Sequence, residues 1–292
     1  MTAAEFEQLR PRAFAIAYRM LGSVSDAEDV VQEGLLRLHR AVESGEQVDN
    51  PGAYLATVVT RLAIDELRSA RVRRETYVGE WLPEPILTSD EDDPARHAEV
   101  ADSLSLAFLV VLESLSPEQR AVFLLRDVFD YPYADVARIV GKSEAAVRQL
   151  AVRARRHVEE RKPRYEASRD ERDELARRFL AAAQEGDVQG LEALLAEDVV
   201  LHGDGGGNAP ALARPIHGSR RVARTFAAWA RAARKLGVID VRPVAVNGQP
   251  GAMMIGEEGK PLSVMAFDID GDRIRAINSI VNPEKLRHLA AG

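Results

Sequence analysis

Between residues 142 and 164 eight cations, Lys142, Arg148, Arg153, Arg155, Arg156, Arg161, Lys162 and Arg164, stand against three acids, Glu144, Glu159 and Glu160. Phosphates are the natural counter-charge for so local an excess. Ser143 is placed to cap a helix there, and Val147, Leu150, Ala151, Ala154 and Val158 share its buried side. Glu144, Arg148, Gln149, Arg153 and Arg156 are left largely on the other side, where arginine or glutamine can reach base edges. A second group, Arg61, Arg68, Arg71, Arg73 and Arg74, gathers towards the end of a helix opened by Asn50 and Pro51. A third set is acidic: Asp26, Asp29, Gln32 and Glu33 form the outer face of an earlier helix. The helix dipole accounts for Asp26 alone, because the others extend past the first turn. The plain alternative for the cations is a solvated basic face on an ordinary bundle.

These residues need helices to carry them. Ser116, Pro117 and Gln119 form a helix-start signature, and Ala121, Val122, Leu125, Val128 and Phe129 fall on one face of the predicted helix. A short helix follows over Tyr133–Val140, then Gly141 turns the chain into the helix capped by Ser143. Two helices joined in this way, the second polar and cationic, fit a DNA major groove. Upstream, a helix over Thr2–Leu21 ends at Gly22, and Ser25 with Glu28 predicts a capping box for the next one. Tyr54, Leu55, Val58, Val59, Leu62 and Ala63 give the third helix its core side.

Residues 79–99 contain WLPEP (81–85) and the acidic run Asp90–Asp93, proline-interrupted and without periodicity, which reads as a linker. Trp81 and Leu82 are too apolar for a solvated tether, so docking on an apolar surface is expected. From Asp170 two helices (170–184 and 188–196) precede a strand at 199–202 and the loop DGGGN at 204–208. A helix over 219–235 then leads to strands near 238–246, 252–256, 262–269 and 273–281, with Asn247-Gly248 and Asp270-Gly271 as hairpin turns. That order predicts an α+β domain whose curved sheet wraps a long helix.

A length of 292 residues with 46% apolar content admits two or three domains with ample core. The absence of cysteine excludes disulfides and thiolate chemistry, and the six scattered histidines show no metal-ligand spacing. No cofactor or metal is implied. No segment is apolar enough to span a membrane, and a cytoplasmic location is expected. The net charge of −7 argues that the chain does not hold duplex DNA unaided.

On SDAEDVVQEGLLRLHR (25–40), NPGAYLATVVTRLAIDELRSARVRRE (50–75) and SPEQRAVFLLRDVFDYPYADVARIVGKSEAAVRQLAVRAR (116–155), the chain resembles the extracytoplasmic-function sigma factors of bacterial RNA polymerase. The resemblance implies two all-α domains, a helical bundle over 1–78 (region 2) and a helix-turn-helix over 101–163 (region 4), joined by a linker over 79–100. It implies core RNA polymerase and promoter DNA as partners. Asp26, Asp29, Gln32 and Glu33 would contact polymerase, and Asn50, Arg61, Arg68 and Arg71 the minus-ten element. Ser143, Glu144, Arg148, Gln149 and Arg153 would meet the minus-thirty-five element. Residues 168–292 resemble the SnoaL-like, ketosteroid-isomerase-like cone fold. With WLPEP, DGGGN and NPEKL (282–286), this points to the J-type subgroup of sigma factors with a fused SnoaL-like extension. Such an extension implies regulation in cis through Trp81, Leu82, Pro83, Asp204, Gly205, Gly206 and Asn208, and no separate anti-sigma factor.

Enzymes that share the cone fold use an Asp base beside a His or second acid. Here His202, Trp229 and Asp268, with Asp204, are the candidates for a pocket holding a small ligand. A lone acid without a positioned partner argues against catalysis, and a non-enzymatic regulator that packs on the first domain and holds WLPEP between them is expected. The rival for the whole chain is a ligand-responsive helix-turn-helix repressor with a small-molecule pocket in its C-terminal domain.

Overall fold

The computed structural model describes residues 2–290 apart from 76, 89–102, 161–167, 210, 213, 234 and 236. The chain gathers into two compact units, residues 1–76 with 109–162, and residues 77–108 with 163–292.

In the first unit, α1 (Ala3–Leu21) opens in a capping box of Thr2 and Glu5 and stops at Gly22, whose φ is 66°. α2 (Val24–Glu43) is capped by Ser23, whose hydroxyl accepts the Asp26 N–H at 3.2 Å. The expected box of Ser25 and Glu28 is therefore not formed. The turn at Gly22 presents Ser23 first, and Glu28 pairs with Arg10 instead. α3 (Pro51–Glu75) starts where the Asn50 side chain accepts the Ala53 N–H at 2.9 Å. Ala17, Met20, Val31, Leu38, Leu55 and Val59 are buried in this bundle. Gly34 lets α2 approach α3, since a Cβ there would lie 2.9 Å from the Val59 side chain.

α4 (Leu106–Glu113) contains the boundary between the units. α5 (Pro117–Phe123) begins in a capping box of Ser116 and Gln119. The predicted helix through Phe129 does not remain α-helical. Leu124–Val128 forms a π turn, and Val128 and Phe129 are half-buried while Leu124 and Leu125 are enclosed. A wider turn advances the side chains out of the 3.6-residue period. α6 (Tyr133–Val140), the left-handed Gly141 and α7 (Glu144–Glu159) then make the helix-turn-helix. α3 also packs on α5 and α6, so the two helical sets share one unit.

In the second unit a seven-stranded sheet has the order β1-β4-β5-β6-β7-β2-β3. Its strands are β1 (Leu87–Thr88), β2 (Leu195–Asp204), β3 (Ile216–His217), β4 (Asp240–Val246), β5 (Gln249–Ile255), β6 (Pro261–Asp270) and β7 (Arg273–Ile280). All pairings are antiparallel except that of β2 with β7. Helices α8 (Arg169–Glu185), α9 (Val188–Leu194) and α10 (Ser219–Ala232) supply one layer. The helix expected to reach 196 stops at Leu194, because Leu195 and Ala196 are drawn into β2.

Side chains alternate across a strand. Leu201, Met265, Phe267 and Ile277 face the helices, where Phe179 meets Phe226 and Phe267 edge-on at 4.9 and 5.4 Å. Val200, His202, Asp204, Val264, Ala266 and Asp268 face the other way. Residues 77–88 form a strap that crosses that second face at Tyr77, Glu80 and Leu82 and ends at the sheet edge, and α11 (Pro283–Leu286) packs there on β6. The strap adds β1 to β4 by pairing Leu87 with Val246 and Thr88 with Ala245.

Candidate nucleic-acid interface

The outer side of α7 exposes Glu144, Ala145, Arg148, Gln149, Val152, Arg153 and Arg156, while Val147, Ala151, Ala154 and Val158 are buried. Ser143 spends its hydroxyl on the Ala146 N–H at 3.3 Å, so it shapes the helix entry. Arg148 lies with its Cζ 4.3 Å from the Tyr133 ring centroid and reaches Glu144 at 3.3 Å. Arg155 bonds Asp127 at 2.7 Å and the Tyr133 hydroxyl at 3.1 Å. Arg161, Lys162 and Arg164 lie outside the described residues.

The expected minus-ten cations are engaged within the first unit. The Arg61 guanidinium donates to the Ile139 and Arg138 carbonyls, both at 2.9 Å, and so caps the C-terminal end of α6. Arg68 pairs with Asp65 at 3.0 Å and with Glu118 at 2.6 Å. Asn50 is exposed, and the Arg71 side chain lies outside the described residues. Beneath these contacts Arg120 is buried and donates to the Met20 carbonyl at 2.6 Å and to Glu113 at 2.8 Å. Burial pushes its guanidinium down to about 9. With a carboxylate and a carbonyl at hydrogen-bond distance, it stays charged near neutral pH.

On α2, Asp29 and Gln32 are exposed, Asp26 and Glu33 are half-buried, and Glu33 holds Arg37 at 2.7 Å. Leu36, one turn on from Gln32 and Glu33, is exposed as well. The acidic face is therefore on the surface of its own unit.

The second unit fixes the strap. Asp204, fully buried at the end of β2, accepts from the Leu82 N–H at 2.8 Å, the Tyr77 hydroxyl at 2.5 Å and the Lys285 ammonium at 2.7 Å. Lys285 also donates to the Leu82 carbonyl, and lies 4.1 Å from the Trp81 ring centroid and 5.2 Å from that of Tyr77. Burial, then the Asp204 carboxylate, push the Tyr77 phenol up. Asn282 donates to the Tyr77 hydroxyl at 3.0 Å. At Gly206, with φ +59°, a Cβ would meet the Asn282 amide at 2.2 Å, which forces glycine at that position. Further on, Glu80 meets His202 at 2.7 Å, the Pro85 carbonyl meets His288 at 2.8 Å, and the Ile86 N–H donates to Asn247 at 2.8 Å.

Trp81, Leu82, Asp204 and Gly206 are thus brought together within the second unit, around Lys285, Tyr77 and Asn282. Tyr77, Glu80, Asn247 and Lys285 were missed. Asn247, with φ 53°, was visible as a turn signal, and Lys285 as part of NPEKL. Asn208 is exposed in the turn after Gly205 and its N–H donates to the Gly205 carbonyl at 3.0 Å. Within 79–88 the backbone groups of Leu82, Pro85, Ile86 and β1 are spent on the sheet edge and on side chains of the same unit. Asp90–Asp93 lie outside the described residues.

The expected pocket of His202, Trp229 and Asp268 is not assembled. Trp229 packs 5.2 Å from Phe226 on the helix side, whereas strand alternation sends His202 and Asp268 to the other face. Asp268 accepts from the Asn278 amide at 2.9 Å, and His202 is occupied by Glu80. Between sheet and helices Phe179, Phe226 and Phe267 pack among Leu201, Met265 and Ile277.

Three family descriptions match the sequence: Sigma-70 region 2 over residues 6–73, Sigma-70 region 4 over 105–158, and SnoaL-like domain over 176–275. The chain is 39% identical to the ECF RNA polymerase sigma factor SigJ of Mycobacterium tuberculosis, with 98% of this chain and 93% of that protein aligned. It is 31% identical to the probable ECF sigma factor SigI of the same species, over 94% and 91%. The crystal structure of M. tuberculosis SigJ superposes with a TM-score of 0.77 at 36% identity, covering 98% of each chain. RpoE of Bartonella quintana, solved in complex with the anti-sigma factor NepR, aligns with 54% of this chain at a TM-score of 0.42 and 23% identity. Among the described residues no helix is long and apolar enough to cross a membrane.

Proposed function

Because the chain belongs to the extracytoplasmic-function RNA polymerase sigma factors, we propose that the surfaces just described divide the work of promoter-specific transcription initiation among them. The chain is a sigma factor with a SnoaL-like C-terminal domain. Its partners are core RNA polymerase and promoter DNA. In our reading, residues 1–78 act as region 2, 79–100 as a linker and 101–163 as region 4. Asp26, Asp29, Gln32 and Glu33 dock on polymerase, and Asn50, Arg61, Arg68 and Arg71 serve the minus-ten element. Glu144, Arg148, Gln149 and Arg153 read the minus-thirty-five element, with Ser143 setting the helix entry. The exposed cationic side of α7, on a chain whose net charge is −7, is the observation that carries this reading.

Control in cis runs through the strap in this account. Asp204, Lys285 and Asn247 hold residues 77–88 on the sheet, which shortens the free chain available between the two promoter-reading domains. The C-terminal domain acts without catalysis in this reading, since Asp268 is tied to Asn278 and His202 to Glu80, which leaves neither placed as a base beside the other. A gel shift on promoter duplex tests the reading. The isolated chain is expected to bind weakly, and core polymerase to confer tight, sequence-specific binding. Tight operator binding by the chain alone would instead favour a repressor.

A further inference from the structure

Tyr133 opens α6, outside the helix that reads DNA, yet three guanidinium groups converge on it. Arg148 lies 4.3 Å and Arg126 5.1 Å from its ring centroid, and Arg155 donates to its hydroxyl at 3.1 Å. Arg126 is further bonded to Asp130 at 3.0 Å and the Tyr131 carbonyl at 3.3 Å, and Arg155 to Asp127 at 2.7 Å. Among the described residues Arg148 has in addition only Glu144 at 3.3 Å, a pair exposed on both sides. Such surface pairs hold weakly.

A guanidinium stacked on an aromatic ring uses its flat face and leaves its edge of N–H donors open. That edge matches the O6 and N7 acceptors of guanine in the major groove. Arg148 sits in the second turn of α7, near the helix end that enters the groove. A side chain already held by its face loses less rotamer freedom on binding. We infer that Tyr133 is a positioning residue that sets Arg148 to read one guanine edge of the upstream promoter element. The inference rests on the sigma-factor reading above.

The test uses the full chain with core polymerase and the duplex that this complex selects most tightly from a randomised library. Each guanine is replaced in turn by 7-deazaguanine, which still pairs but lacks the N7 acceptor. At one position the wild-type complex is expected to lose about tenfold in affinity, the scale of a bidentate contact. Arg148→Ala should abolish that penalty and Arg148→Lys should reduce it, because a lysine keeps the charge and can still donate to N7 but lacks the planar fork that rests on Tyr133. Tyr133→Phe should retain it in full. Tyr133→Leu, or Tyr133→Met if the leucine variant melts early, should reduce it below about threefold while leaving penalties at other positions unchanged. A full penalty in a folded Tyr133→Leu variant overturns the positioning role, as does the lack of any guanine whose penalty depends on Arg148. A wild-type complex that selects no sequence at all refutes the sigma reading itself, and this inference falls with it.

Discussion

Asp204 and Lys285 are buried together, with 0% and 7% of their side chains exposed, and each satisfies several groups of the strap. Removing one member of such a pair leaves an uncompensated buried charge, at a typical cost of about 3–5 kcal/mol. Asp204→Asn and Lys285→Met should each lower the stability of the second unit by that order in denaturant melts. The double variant Asp204→Leu/Lys285→Met should cost clearly less than the sum of its single variants, because no charge is left stranded. Additive losses would show that the two side chains act independently. Asp204 was visible in the sequence because it precedes three glycines. Lys285 reads there as an ordinary helix-end cation, and only packing distinguishes it from one.

Among the elements, α3 offers the sharpest test, since Arg61 and Arg68 spend their donors on α6 and on Glu118. Arg68→Glu should loosen the contact between region 2 and the helix-turn-helix, and Glu118→Arg in the same chain should restore it. Energy transfer between dyes on α2 and α7 reports the separation. Burial alone would raise the Glu118 carboxyl, but the Arg68 hydrogen bond, its own backbone N–H and nearby cations outweigh it and hold the group below the usual glutamate range. A folded value below the unfolded one gives stability that is present above the unfolded value and lost as pH falls through the folded one. The same dyes should therefore show no change from neutral pH down to the ordinary glutamate value, and separation only in more acid solution. The helix periods of α1, α2 and α3 were legible from apolar spacing. The π turn after Phe123 was not, because a widened turn keeps the same residue types and alters only their phase.

For the whole molecule, the second unit treats residues 77–88 as part of its sheet. Hydrogen exchange at the Leu82 and Ile86 amides is therefore expected to be slow in the full chain, since their acceptors are Asp204 and Asn247. In a chain truncated after residue 160 both amides should exchange freely. Slow exchange in that truncated chain would mean that another surface holds the strap. The truncation also uncovers Trp81 and Leu82, and altered promoter output from the truncated chain with core polymerase is the expected functional consequence.

The sequence by itself determined the order of most helices and of strands β2 and β4 to β7, the helix-turn-helix, the cationic outer side of α7 and the family, because each follows from local spacing or from motifs read along the chain, whereas α4, α11 and the two-residue strands β1 and β3 carry no such signal. Tertiary structure alone decided what those residues touch. It laid residues 77–88, which include the first part of the segment read as a linker, along the sheet as a strap, sent His202 and Asp268 away from Trp229, and engaged Arg61 and Arg68 with the helix-turn-helix region. The reason is physical: periodicity says which side of an element is apolar, whereas the partner of a polar side chain depends on which distant element is folded against it.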